Sequence, residues 1–166
     1  MFNLFKKQVT AEAYGHQLWL LCCDWSEKFC LNFRPELRLA GYLQNPTEDR
    51  VFMDEAMRLH LWIISYALGV ENRNVLDALH NHAHGLNIVN SKTLREIYAI
   101  YNTAASKEME LQDAGLTQPA LGMTAIQYLV NNKAHTEDIT AMLVRIEIED
   151  VINAVRKMRM EVKIRN

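Results

Sequence analysis

Apolar residues recur at helical spacing along most of this chain. Leu18, Cys22, Trp25 and Phe29 form one such stripe, which predicts a helix beginning after Thr10 and running to about Leu31. Residues 32–45, which hold Pro35 and Gly41, read as a connector with at most one short helix. Pro46-Thr47-Glu48-Asp49 then opens a second helix, with Thr47 as the cap and two acids at the positive end of the dipole. Phe52, Ala56, Leu59, Ile63 and Ala67 carry it to a stop at Gly69. Because Leu61, Trp62 and Ile64 make its second half apolar nearly all round, this is the expected central helix.

The remaining punctuation is also helical. Asn74 caps a short helix that Gly85 ends, and Thr93-x-x-Glu96 is a capping box for the next, with Leu94, Ile97, Tyr101 and Ala104 on its inner face. Pro119 opens a helix to about Asn132, and Thr136-Glu137-Asp138 starts the longest. Thr-Glu-Asp also occurs at 47–49, but the residues that follow differ, so shared capping explains the recurrence better than an internal repeat. The carboxyl-terminal region carries two periods at once. Residues 144–150 and 158–165 alternate apolar with polar, as strands do, while Val144, Ile148, Val151, Val155, Met158 and Val162 form the seam of an amphipathic helix. The cap at Thr136 and the lack of a turn signal beyond 139 favour the helix. The fold expected is all-α, a single domain over 1–166 with six to seven helices and a long carboxyl-terminal one; the alternative is α+β with a terminal β-hairpin.

Composition supports helices. Six glycines and three prolines in 166 residues are few for a β-rich chain, and 49% hydrophobic with 23% charged residues suits one ordinary globular core. A net charge of −2 offers no global attraction to nucleic acid. All three cysteines, Cys22, Cys23 and Cys30, fall in one helical segment, which argues against a disulfide framework and fits a reducing cytoplasm. The run 59–69 is about half the length needed to cross a bilayer, and no signal peptide is legible, so a cytoplasmic protein without membrane partners is expected.

Residues 77–87, DALHNHAHGLN, concentrate three of the six histidines. At about 100° per residue, Asp77, His80, Asn81 and His84 share one side of a helix whose other side is Val75, Leu76, Leu79 and Ala83; His82 lies nearer the apolar edge. Asp77, His80 and His84 therefore make a candidate site for a divalent transition metal such as zinc, nickel or iron(II). The competing reading is a solvated helix face, because acid and histidines also suit the two ends of the helix dipole. His60 lies on the flank of an apolar stripe. It reads as a core histidine, and it is the titratable group expected to line any pocket that opens between helices.

Other features point less far. No phosphate loop, nucleophile elbow or paired-ligand motif is present. Cys22 and Cys23 read as buried inert thiols, and Met53, Met57, Met123, Met142 and Met158 as core filling. Arg156, Lys157, Arg159, Lys163 and Arg165 against Glu161 make a basic end without interleaved aromatics, so nucleic-acid binding is not favoured. The long apolar seam needs a cover, either a second copy in a two-fold dimer or the chain's own first and central helices. The function expected is a non-catalytic protein-interaction or small-ligand-binding module acting as a homodimer. The alternative is a metal-dependent enzyme or sensor using Asp77, His80 and His84.

Overall fold

The computed structural model describes residues 7–85, 91–115, 119–131 and 139–165. Six α-helices dominate these residues: α1 (Ala11–Leu39), α2 (Pro46–Leu68), α3 (Arg73–Gly85), α4 (Ser91–Asp113), α5 (Ala120–Leu129) and α6 (Ile139–Glu161). Two short strands, β1 (Lys7–Thr10) and β2 (Val162–Arg165), flank them and pair in parallel. The all-α reading stands, with this small terminal sheet added.

Helix α2 is the hub. Leu59, His60, Leu61, Ile63 and Ile64 are all fully enclosed, as its all-round apolar pattern requires. Helices α1, α4, α5 and α6 each pack on it. Its amino terminus is capped by Asn45, not Thr47: the Asn45 Oδ1 accepts from the Thr47 and Glu48 amides at 3.1 and 3.0 Å, with Pro46 in the first turn. Gly69 ends it with φ +72°, a value open to glycine and costly for other residues.

Helix α1 runs eight residues beyond the end expected at Leu31, straight through Pro35. Proline forfeits the bond to the carbonyl four residues back, but that carbonyl belongs to exposed Leu31. Phe29, Phe33 and Leu37 meanwhile continue the buried stripe at spacing four, and their packing outweighs the lost bond. Within the stripe the buried residue at the third turn is Ser26, while Trp25 is only half-buried. Gly15 lets α1 cross close over α3: a Cβ there would lie 2.6 Å from the Ala78 Cβ.

Helix α3 follows a 3₁₀ turn at Val70–Asn72 and begins at Arg73, one residue before the cap expected at Asn74. The side chain of Thr93 and the Thr136-Glu137-Asp138 cap lie outside the described residues. Buried Glu108 of α4 ties three helices together. One carboxylate oxygen accepts from the Leu121 amide at the start of α5 at 2.9 Å, and the other accepts from Arg145 of α6.

Residues 144–150 are helical, and Val144, Ile148, Val151 and Val155 of the seam are buried against α2 and α5 of the same chain. These four positions are thus covered within one copy, while Met158 and Val162 of the same seam are half-buried. The strand alternation is realised only at Val162–Arg165, and its partner is the distant β1 rather than a hairpin neighbour: Val9 pairs with Ile164 and Thr10 with Arg165. Arg159 locks this junction, with Nε donating to Asn72 Oδ1 at 2.7 Å and Nη1 to the Val162 carbonyl at 3.3 Å. No described helix is long and apolar enough to cross a membrane.

Candidate functional site

A cleft of about 310 Å³ opens between α1 and α2. Its walls are Cys23, Ser26 and Cys30 from α1 and Met53 and Met57 from α2, with Glu27, Leu31 and Arg34 completing the lining. The spacing of Cys23, Ser26 and Cys30 places them on one helix face, and Met53 and Met57 are one turn apart on the facing helix. The wall is therefore mainly sulfur and carbon, and its size falls within the range of small-molecule sites. Met53 is 52% exposed and so is not the core filler that spacing suggests, while Met57 is half-buried and packs against the core.

His60 lies behind this wall. Its Nδ1 is 2.8 Å from the Ala56 carbonyl, which can only accept, so Nδ1 carries the proton. Ser26 Oγ stands 3.2 Å from the same nitrogen while donating to the Cys22 carbonyl at 2.7 Å. His60 Nε2 is enclosed and has no hydrogen-bond partner among the described residues, and the ring meets Phe29 edge-on. Burial pushes the imidazole down to about 4, partly opposed by the Ala56 hydrogen bond, so His60 is neutral at physiological pH. It reaches the cleft only through Ser26.

The thiols are protonated for the same reason. Burial raises Cys30 to about 11 and also raises Cys22 and Cys23. Cys22 points at Met57, with its Sγ 3.8 Å from the carbonyl and 3.6 Å from Sδ. Neutral thiols are weak nucleophiles, which suits a binding wall better than a covalent mechanism. Beside the cleft, Arg34 and Arg38 of α1 both pair with Asp49 of α2. The Arg34 Nε is 3.5 Å from the Asp49 oxygen in an ion pair and, among the described residues, has no hydrogen-bond acceptor.

The histidine-rich helix distributes its polar side chains in two directions. His80 turns toward α2 and α4, where its Nε2 lies 3.2 Å from Ser65 Oγ and 3.0 Å from the Tyr98 hydroxyl. Ser65 and Tyr98 are themselves 3.0 Å apart, and Ser65 donates to the Leu61 carbonyl at 2.8 Å. One proton order satisfies every donor in this group: His80 Nε2–H to Tyr98, Tyr98 to Ser65, Ser65 to Leu61. Burial lowers the His80 pKa, reinforced by His84 and opposed by Asp77.

Asp77 faces the other way. It lines the groove toward α1 with Glu12 and His82, and its nearest ion partner is Arg73 at 4.0 Å. His82 packs against His16 of α1 with ring centroids 4.8 Å apart. His84 is exposed. Among the described residues, no three His, Cys, Asp or Glu side chains converge as a metal ion requires. Asp77, His80 and His84 thus share a helix, with His80 turned toward α2 and α4 and Asp77 toward α1.

Sequence reasoning passed over Ser26, Met53 and Met57 because the cleft depends on how α1 lies on α2. The available signal was the matched periodicity of sulfur-bearing residues on the two helices. Comparison with known protein families, with curated proteins and with solved structures finds no match to this chain.

Proposed function

We propose that this chain is a non-catalytic binding module that takes a small, largely apolar ligand carrying a carboxylate in the cleft between α1 and α2. The observation that carries this reading is the chemistry of the wall. Two methionines and two protonated thiols offer a polarisable, adaptable apolar surface. Ser26 supplies a single hydroxyl at the back, and the guanidinium of Arg34, which lines the cleft while paired with Asp49, gives an acid group its anchor. His60 supports the wall by holding Ser26 and stays neutral while doing so.

Thermal-shift measurements with medium-chain aliphatic and aryl carboxylates test the proposal. Saturable stabilisation is expected for the unaltered chain. It should vanish in Met53→Trp, which fills the cleft from a half-exposed position without touching the core. In Arg34→Gln, the preference for a carboxylate over the matching alcohol should disappear. Stabilisation that survives Met53→Trp, or none with any member of the series, would overturn the reading.

A further inference from the structure

The terminal sheet is unfinished. β1 and β2 are four residues each, and a two-stranded pair of that length is marginal on its own. It is held from one side, where Val9 is buried and Val162 and Ile164 pack against the core but stay only half-buried. Beyond the β1–β2 ladder, no backbone-to-backbone hydrogen bond reaches either strand among the described residues. Among the described residues, the one further hydrogen bond to the β2 backbone comes from Arg159 at the Val162 carbonyl. An edge in this state is a template for another strand.

Charge selects what fits it. Lys163 and Arg165 alternate with the inward residues and are exposed on the outer face of β2, and Lys7 is exposed on β1. Exposed Arg156 and Lys157 stand on the last turns of α6. Neither strand carries an acid, and Glu161 is the single one between residues 156 and 165. Pairing with the same edge of a second copy would set these cations beside one another, where like charges repel. A nucleic acid could use the cations but not the alternating N–H and C=O groups, because phosphate only accepts hydrogen bonds. A peptide backbone matches both.

We infer that the outer edge of β2 binds an extended acidic peptide segment of a partner protein as a third strand, with acidic side chains at alternate positions beside Lys163 and Arg165. The backbone supplies the pairing, the cations choose the sequence, and apolar residues on the other face of the added strand cover Val162 and Ile164. This surface is separate from the cleft between α1 and α2, and either can fail without the other.

Fluorescence anisotropy of the full chain with a labelled peptide alternating glutamate and valine provides the test. Saturable binding is expected, together with slowed amide exchange at residues 162–165. Methylating alternate backbone nitrogens of the peptide keeps its charge but removes its pairing, and should weaken binding by at least about tenfold. Lys163→Glu with Arg165→Glu should do the same while far-ultraviolet circular dichroism stays helical. Failure of the peptide to bind at millimolar concentration would overturn the inference. So would equal binding of the methylated peptide, or tighter binding of a DNA duplex that displaces the peptide, since each reduces the surface to charge alone.

Discussion

Ser26 Oγ and His60 Nδ1 stand 3.2 Å apart across the α1–α2 interface, joining the wall of the cleft to a fully enclosed histidine. The contact makes the histidine a support for the site rather than a participant in it. It also sets how the fold responds to acid.

The folded-state pKa of His60 is about 4, below the ordinary 6.5. Its stabilising contribution is therefore complete above pH 6.5 and is lost as pH falls from there toward about 4, because the unfolded chain takes up the proton that the folded one refuses. At about 1.4 kcal/mol per unit, this shift corresponds to about 3 kcal/mol. Urea midpoints measured across that window should fall steadily, and His60→Phe should flatten the decline. An unchanged slope in the variant would remove His60 as its cause. His80, lowered in the same direction, should leave a residual slope.

Tyr98 joins Ser65 to His80 at the meeting of α2, α3 and α4. Tyr98→Phe removes the shared hydroxyl and leaves His80 Nε2–H only the longer contact to Ser65 Oγ, and should cost about 0.5–1.5 kcal/mol in equilibrium unfolding. Among the described residues no three possible ligands converge, so zinc should not raise the melting temperature of untagged protein. A rise that disappears in His80→Ala with His84→Ala would restore the metal reading.

Gly15 and Ala78 set the spacing of α1 and α3, since any Cβ at position 15 meets the Ala78 Cβ at 2.6 Å. Gly15→Ala should destabilise by about 1–3 kcal/mol despite the better helix propensity of alanine. Chemical denaturation reads this directly. A stabilised variant would mean that the crossing is looser than described.

Ile148 is fully buried on the seam of α6, facing helices of its own chain. Ile148→Ala should cost about 2–5 kcal/mol. Measured at low and at high protein concentration, the loss should be the same. Sedimentation that shows a dimer dissociated specifically by this substitution would return the seam to an intermolecular role.

Local order in the sequence carried through where apolar spacing and capping agreed. The stretch from Phe52 to Gly69 and the seam from Val144 to Val155 follow from periodicity, because burying one face of a helix needs only that the face exist; at 144–150, where both periods are present, the missing turn signal favours helix over strand. The end of α1 did not follow. Pro35 is a breaker by local rules, and only the packing of Phe33 and Leu37 on neighbouring helices overrides it. The wheel grouped Asp77 with His80 because it knows angle but not surroundings: Asp77 lines the groove toward α1, while His80 meets Tyr98 and Ser65. The cleft and the β1–β2 pair each join segments far apart in sequence. No local pattern encodes which distant surface arrives opposite, so only the tertiary structure decides them.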